Sequence, residues 1–254
     1  MLNRFWDDLY QKSQKIQLQQ EAVAPTSLNQ DLKKDAHISP DNSEWLPSPA
    51  KGVKRLLLER EGGEKTIRAT SIVSYEADSR FAPHQHPLGE EFLVLSGTFS
   101  DEHGDYPAGT YVRNPPGSSH APFSENGCMI WVKLQQFAPE DSKSVVTALP
   151  ENNEHFDLHQ QGLLSNVLFD DYETVSFHKA LENTAIGSEQ LSGLSRRQEH
   201  TGHPKGTEIL LLDGRLHVNE HAYETGDWIR LAAHQPVHIN IEQGAHFLMK
   251  TGHL

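Results

Sequence analysis

Four side chains in the first half of the sequence have the types and the spacing of a metal site. The stretch HQHPLGEEFLVLSG places His84, His86 and Glu90 two and four residues apart. Further along, a Pro-Pro-Gly turn leads to another histidine, His120. Three neutral imidazoles and one carboxylate suit a divalent first-row metal ion. The sequence therefore predicts one metal site, formed by His84, His86, Glu90 and His120.

Strand geometry separates the two neighbouring glutamates of this stretch. Alternate residues of an extended strand share a face, so Glu90 lies on the side of His84 and His86 if the segment is one strand. Glu91 then points to the opposite face. A row of exposed histidines on an edge strand is the plain alternative, but four suitable residue types at two linked spacings rarely coincide.

The elements that must position these residues are short strands. From Trp45 onward, apolar or alternating runs such as EFLVLSGTFS, CMIWVKLQQF and EILLLDGRLHV are separated by Gly and Pro turns. This pattern predicts an all-β sandwich or barrel. Before it, residues 2–23 lack Gly and Pro and place Trp6 and Leu9 at helical spacing, which predicts an amphipathic helix. We expect its apolar stripe to be buried on this chain's own barrel or on a second subunit.

An internal repeat divides the strand-rich part of the sequence in two. HPLGEEFLVLSG, from His86, aligns without a gap with HPKGTEILLLDG, from His203, and the offset of 117 residues holds over nearly fifty positions. We therefore predict two tandem barrels, at residues 45–140 and 141–254. Residues 1–44 form an N-terminal arm of helix and linker, since their second half is rich in Pro, Asn, Asp and Ser.

The second copy has lost most of the metal set. At the offset of 117 residues, three ligand positions of the first copy become Thr201, Thr207 and Val237. Only the position of His203 keeps a histidine. A three-ligand site from His200, His203 and His238 is the alternative, but it needs two changes of strand register. A structural second barrel without a metal is the favoured interpretation.

Three charged residues of the first copy recur in the second. Glu91, Arg113 and Lys133 correspond to Glu208, Arg230 and Lys250 at the same offset. Because the second copy lacks the metal set, their retention predicts structural pairing rather than binding of a metal or a substrate.

Charge and cysteine content narrow the classes of function. Lys and Arg total 22 against 35 Asp and Glu, and the net charge of -13 argues against direct nucleic-acid binding and against an anionic membrane surface. No stretch approaches the ~20 apolar residues of a membrane span, and the start of the chain lacks the apolar region of a signal peptide. The single cysteine, Cys128, excludes a disulfide framework and is expected in a buried strand. We expect a cytoplasmic protein.

The metal-bearing segments resemble the paired motifs of the cupin superfamily. In that family HxH, three residues, E, six residues and G are followed by G, five residues and PxGxxH; here the motifs run from His84 to Gly97 and from Gly109 to His120. The wider stretch from Trp45 to Phe137 more narrowly resembles the cupin-like domain of ChrR-type anti-sigma factors. The resemblance implies double-stranded β-helix (jelly-roll) barrels, and it implies that the ligands are His84, His86, Glu90 and His120.

The resemblance also implies a function. ChrR-type proteins silence an extracytoplasmic-function (ECF) sigma factor until an oxidative signal arrives, and their cupin domain binds zinc. For this chain it implies a zinc-binding, stress-responsive regulator of transcription, with an ECF sigma factor as partner and a homodimer formed through sheet edges. The residues themselves leave an enzyme open: a cupin dioxygenase or isomerase in which iron, manganese or nickel binds a small molecule.

Overall fold

The computed structural model consists of antiparallel strands and, within the described residues, one α-helix near the N-terminus. The all-β prediction is confirmed. The chain divides into two compact units: a first unit of Met1–Gln30 and Asp41–Leu149, and a second unit of Asp31–Pro40 and Pro150–Leu254. The structure describes residues 2–18, 23–160, 162–187, 206–233 and 237–254.

Helices and strands are numbered in chain order. Helix α1 spans Arg4–Gln14, and two short 3-10 helices span Pro40–Asn42 and Asn153–His155. The earlier strands are β1 (Ser27–Leu28), β2 (Ala36–Ile38), β3 (Trp45–Pro47), β4 (Val53–Glu61), β5 (Arg68–Tyr75), β6 (Ser79–Arg80), β7 (His84–His86), β8 (Glu90–Asp101), β9 (Gly104–Pro107), β10 (Thr110–Asn114), β11 (Ser118–His120), β12 (Phe123–Ser124), β13 (Cys128–Leu134) and β14 (Val145–Ala148). The later strands are β15 (Asp157–Gln160), β16 (Leu163–Asp170), β17 (Thr174–Ala180), β18 (Thr184–Gly187), β19 (Thr207–Asp213), β20 (Arg215–Val218), β21 (His221–Glu224), β22 (Trp228–Leu231), β23 (His238–Ile241) and β24 (His246–Thr251). Among the described residues, no helix is long and apolar enough to cross a membrane.

Helix α1 covers part of the first unit. Its Trp6 and Leu9 are buried, and the helix contacts β5, β8 and β13. Asp7 accepts a hydrogen bond of 2.6 Å from the hydroxyl of Ser96 on β8. The predicted apolar stripe is therefore buried on this chain's own barrel. The helix ends at Gln14, well before residue 23, and Lys15 caps it by donating its backbone N–H to the carbonyl of Lys12.

The first unit is built on one antiparallel sheet in the order β1, β4, β5, β13, β8, β10, β14, together with a separate pair of β7 and β11. Side chains of a strand alternate between its two faces, so one face of each central strand enters an apolar core. This core includes Val73 on β5, Phe92 and Val94 on β8, and Ile130 and Val132 on β13. The metal-site residues lie along the strands that enclose it.

The single cysteine should be chemically inert in the folded protein. Cys128 starts β13 and is fully buried, and its burial raises the pKa of the thiol to about 12. The thiolate is the reactive form, so a disulfide reagent such as Ellman's reagent should not react at pH 8. The same reagent should release one equivalent of chromophore once guanidinium unfolds the chain. Rapid reaction of the native protein would contradict this prediction.

The second unit contains two sheets, in the orders β15, β16, β17, β24, β19, β22, β2 and β18, β23, β20, β21. Strand β2 belongs to the N-terminal linker and pairs with β22, with Ala36 opposite Arg230. Two hydrogen bonds hold this part of the linker against β22. The carboxylate of Asp35 accepts from Ala232 N at 2.7 Å, and the carbonyl oxygen of Asp31 accepts from Arg230 at 3.0 Å. Of residues 1–44, those from 31 to 40 belong to the second unit and the described others to the first.

Strand pairing also decides where the first unit ends. Strand β14 pairs with β10, with Arg113 opposite Val145 and Thr110 opposite Ala148. The first unit therefore reaches Leu149, nine residues beyond the boundary inferred from the repeat.

The same cross-strand register recurs in both units. Glu91 on β8 lies opposite Arg113 on β10, and Glu208 on β19 lies opposite Arg230 on β22. The residue numbers of the second pair are those of the first plus 117, the offset of the sequence repeat. The central strands of the two units are therefore structurally equivalent.

Candidate metal centre

Two short strands and the start of a longer one position the four predicted ligands. Strand β7 carries His84 and His86, and β11 carries His120 opposite His84. Glu90 begins β8 after a turn at residues 87–89. The stretch is thus two strands and not one, because Gly89 adopts a positive φ of 76° and donates its N–H to His86 O. Even so, the turn leaves Glu90 on the side of the histidines.

The ligand atoms of the four residues converge. One ligand atom from each lies within 4.8 Å of the others, for the set His84, His86, Glu90 and His120. The Nε2 atoms of His86 and His120 lie 3.6 and 3.5 Å from Oε2 of Glu90. These three residues are buried, and His84 is half-buried. The structure therefore brings together the whole set that the sequence predicted.

Two imidazole nitrogens at this point of convergence have no partner. The Nε2 atoms of His86 and His120 are buried and make no hydrogen bond. Such atoms are costly in a fold, because they have lost their bonds to water and gained none in exchange. Imidazole nitrogens are preferred ligands of zinc and other first-row divalent metals. The residues present therefore fit a metal ion.

The other ring nitrogen of each histidine is held in place. Nδ1 lies 3.0 Å from Ala82 O in His84, 3.1 Å from Ser118 Oγ in His86, and 3.0 Å from Asp101 Oδ2 in His120. The carbonyl beside His84 and the carboxylate beside His120 can only accept a hydrogen bond. In these two histidines the proton is therefore on Nδ1, and Nε2 keeps its lone pair. Partners of this kind orient metal-binding histidines in proteins.

Sequence reasoning missed two residues of the site, Asp101 and Asn114. One oxygen of Asp101 accepts from the backbone N–H of His103 at 2.8 Å, in the turn that follows β8. Its second oxygen orients His120, a contact between residues 19 apart that no local pattern reveals. Asn114 Nδ2 donates to Oε2 of Glu90 at 3.2 Å, because β10 pairs with β8 and places the two residues opposite each other.

Burial sets the protonation of the ligands. It lowers the pKa of His86 to about 3, with smaller contributions from His120 and His84, and it lowers the pKa of His120 as well, against the effect of Asp101. Burial raises the pKa of Glu90 to about 7, partly offset by the hydrogen bond from Asn114. At neutral pH the two buried histidines are therefore neutral, and no proton competes for their lone pairs.

We expect Glu90→Gln to change the pH dependence of the metal-free protein. The carboxyl has a pKa of 4.5 in the unfolded chain and about 7 in the fold. Its contribution to the free energy of unfolding of the wild type is therefore lost as pH rises between these two values. The amide has no such loss. Relative to wild type, the variant should gain free energy of unfolding between pH 5 and pH 8, measured by urea unfolding of chelator-treated protein.

Glu220→Gln, at an exposed position of the second unit, serves as the control for that measurement. Its stability relative to wild type should not change between the two pH values. If Glu90→Gln also gave a constant difference, the raised pKa of Glu90 would be wrong.

We expect Asp101→Asn to weaken metal binding without abolishing it. The substitution removes the negative acceptor at Nδ1 of His120, which fixes the ring and increases its basicity. Losses of about 10- to 100-fold in metal affinity are typical of such changes. A chelator competition titration measures the effect, with Asp105→Asn as the matched control, since Asp105 accepts from Ser100 nearby and from no histidine among the described residues. Equal affinities for the two variants would contradict the orienting role.

A cavity opens beside the four residues. It has a volume of about 640 Å³, and His84, His86, Glu90 and His120 form part of its wall. The rest of the wall is largely apolar, with Val73 and Phe81 among its members, but it includes three arginines, Arg55, Arg60 and Arg80. A small molecule in this cavity would therefore lie against the cluster.

Glu91 lies on the opposite face of β8, in a buried structural network. Its Oε2 accepts from the hydroxyl of Tyr111 at 2.6 Å and lies 3.5 Å from Nη1 of Arg113. Arg113 also donates to Asp141 at 2.6 Å. Lys133, likewise buried, donates to a threonine hydroxyl on β5 at 3.0 Å. The predicted structural pairing of Glu91 and Arg113 is confirmed.

The corresponding positions of the second unit are described only in part. Thr207 is buried on β19, and His238 is exposed on β23, opposite Gly187. Thr201 and two members of the alternative site, His200 and His203, lie outside the described residues. The presence or absence of a second site therefore stays a prediction.

Comparisons with known proteins agree on the fold. Residues 33–138 match the family of the ChrR cupin-like domain. No curated protein sequence matches the chain. Three solved structures resemble it: bacterial pirin in complex with nickel(II) from Escherichia coli (12% identity, TM-score 0.59, covering 86% of this chain and 98% of that one); quercetin 2,3-dioxygenase from Acinetobacter baumannii (15%, 0.52, 86% and 78%); and oxalate decarboxylase from Bacillus subtilis, studied for its Mn(II) centres (11%, 0.53, 85% and 77%).

At these identities the likeness to solved structures establishes the fold alone. The cluster of three histidines and one glutamate lies within the stretch that matches a cupin-like family, and the chain around it has the all-β fold of these solved structures. Over residues 33–138, this chain resembles the ChrR cupin-like domain in particular. Both statements agree with the motifs in the sequence.

Proposed function

We propose that the first unit holds one divalent metal ion, with zinc as the expected metal, and that the protein is a stress-responsive regulator of the ChrR kind. One observation supports the metal above all: the buried Nε2 atoms of His86 and His120 face Glu90 without any hydrogen-bond partner. Zinc is supported by the ligand types and by the resemblance to ChrR cupin domains. Iron, manganese and nickel accept the same ligands.

The regulatory proposal links the site to the shape of the first unit. His86 on β7 and His120 on β11 would share the ion with Glu90 on β8, so that three strands depend on one site. Oxidation or loss of a ligand would then free these strands and alter the surface offered to a partner. We propose an ECF sigma factor in the cytoplasm as that partner. The net charge of -13 disfavours direct binding to the sigma factor's DNA target.

Elemental analysis and a binding assay test this proposal. We expect about one zinc per chain, no oxygen uptake and no absorption band from iron. Immobilised zinc-loaded protein should retain an ECF sigma factor at about one per chain, and a chelator should release it. Failure to take up zinc would contradict the metal site, and zinc uptake without sigma-factor binding would contradict the regulatory role.

The cavity favours a second candidate, a metal-dependent dioxygenase or isomerase acting on a small molecule. Its volume of about 640 Å³ lies within the range of small-molecule pockets, and the cluster is part of its wall. A metal held there would act as a Lewis acid toward an oxygen atom of the bound molecule. Iron or manganese in the purified protein, with turnover that His120→Ala abolishes, would establish the enzyme against the regulator.

A further inference from the structure

A buried arginine shares the cavity with the metal cluster. Arg60, on β4, is 3% exposed and forms part of the cavity wall. Its Nε donates to Gly63 O and its Nη2 to the hydroxyl of Thr66, both at 2.7 Å. Neither acceptor is charged, and within the described part of the chain no carboxylate forms an ion pair with this guanidinium. Arg60 therefore brings a buried positive charge into the cavity, and among the described residues no carboxylate is in direct contact with it.

Besides Glu90, the wall contains one acidic residue, Glu64, and this residue already has a partner. Both carboxylate oxygens of Glu64 accept from Arg55, at 2.8 and 3.1 Å. These hydrogen bonds lower the pKa of Glu64, so it stays ionised and paired. Glu64 therefore makes its hydrogen bonds and its ion pair with Arg55, and it attracts Arg60 only from a longer distance. An anion in direct contact with Arg60 would be a closer partner for this guanidinium.

Strand register places Arg60 on the same face of the sheet as the cluster. Glu90 on β8 lies opposite Leu134 on β13, Leu134 lies opposite Ala69 on β5, and Ala69 lies opposite Arg60 on β4. Directly opposite residues share a face, and three strand spacings amount to about 14 Å. Between the two charged ends the wall is apolar, with Leu134 and Val132 among its residues. The cavity therefore has two polar ends and an apolar middle.

The charges of the two ends have the same sign. A divalent ion beside ionised Glu90 would leave one net positive charge, and Arg60 adds another. The whole chain carries -13, so the cavity would be a positive region in a negative protein, a setting that draws in small anions. Burial lowers the pKa of Arg60, because desolvation disfavours its cation, and an anion bound beside it would stabilise that cation.

We propose that the cavity binds a small organic carboxylate whose carboxylate group is held by Arg60 and whose other end carries an oxygen that reaches the metal. The Nη1 atom of Arg60 donates to none of the described residues and is the nitrogen available to the ligand. An apolar body fits the wall between the two ends. This proposal rests on the proposed metal site, and it names the ligand class for the regulator and the enzyme alike.

Calorimetric titration of the zinc-loaded protein tests the proposal. The probe is 3-(4-hydroxyphenyl)propanoate, which separates an oxygen from a carboxylate by an apolar ring, and its uncharged methyl ester is the matched ligand. Wild type should bind the acid at least about tenfold tighter than the ester, since a charge-assisted hydrogen bond is lost in the ester. Arg60→Gln should remove this preference, and Arg60→Lys should keep part of it. Arg215→Gln, at a surface arginine of the second unit, should bind the acid as wild type does.

Three results would overturn the proposal: no binding of the acid, equal binding of acid and ester by wild type, or an unchanged preference in Arg60→Gln. The last result would mean that Arg60 only braces the turn of residues 62–66. Elemental analysis of the same samples separates the two proposals. Full zinc occupancy without a preference for the acid over the ester would contradict the carboxylate site alone. Failure to take up zinc would contradict the proposed metal site.

Discussion

His86→Ala should reduce the metal content of the purified protein from about one ion per chain to nearly none. His86 supplies one of two buried imidazole nitrogens that face Glu90 and have no hydrogen-bond partner, so its loss removes a ligand from the centre of the site. The loss of affinity should exceed the ~10- to 100-fold typical of residues that only orient a ligand. Elemental analysis after dialysis against a weak chelator measures the content directly.

Thermal unfolding gives an independent measure of the same effect. A ligand that binds only the folded state stabilises it by about 2.7 kcal/mol when present at a hundred times its dissociation constant. Added zinc should therefore raise the melting temperature of wild type and leave that of His86→Ala unchanged. His103→Ala is the control, since the side chain of His103 is 66% exposed and orients no member of the cluster. Full metal occupancy in His86→Ala would show that the ligand set is wrong.

Glu91→Gln should destabilise the fold strongly, although its neighbour Glu90 can be changed in the same way without that cost. Glu91 is fully buried, and its carboxylate faces the guanidinium of Arg113 and the hydroxyl of Tyr111. Removing one member of a buried ion pair costs about 3–5 kcal/mol, because the remaining charge loses its partner. We expect about 3 kcal/mol, near the lower end, since Arg113 keeps Asp141. Urea unfolding of the metal-free protein gives the value.

Glu90→Gln is the matched control, one residue away on the other face of β8. It should lose metal and keep its fold, because burial already disfavours the charge of Glu90 and the amide removes that cost at pH 8. Glu91→Gln should show the opposite result: it should keep its metal and lose stability. If both variants lost the same stability and the same metal, the division of the two glutamates between site and scaffold would be wrong.

The parts of the site that depend on short-range patterns could be predicted from the sequence. His84 and His86 stand two apart on one short strand, and the Pro-Pro-Gly turn leads directly to His120. The alternation of side chains along a strand predicted that Glu90 and Glu91 lie on opposite faces. That argument assumed a single strand from His84 onward, and the structure has a turn before Glu90. The prediction held because the turn preserves the side on which Glu90 lies.

The parts that depend on pairing between distant segments could not be predicted in this way. Asp101 reaches His120 and Arg60 enters the cavity only after β4, β8 and β11 have taken their places. Strand β2 is the clearest case, since three residues of a polar linker pair with β22, almost two hundred positions later. Nothing in the composition of that linker indicates a strand, because its conformation is fixed by the sheet edge that it covers.

The pairing of β2 with β22 sets the order in which a newly made chain can complete itself. Residues 36–38 leave the ribosome about 190 residues before their partners at 228–230, which at ~5–20 residues per second means a wait of about 10–40 s. The second unit is therefore among the last parts to close during translation. An expression fragment that begins at Trp45 would omit β2 for good, and it would present the edge of β22 as a template for aggregation.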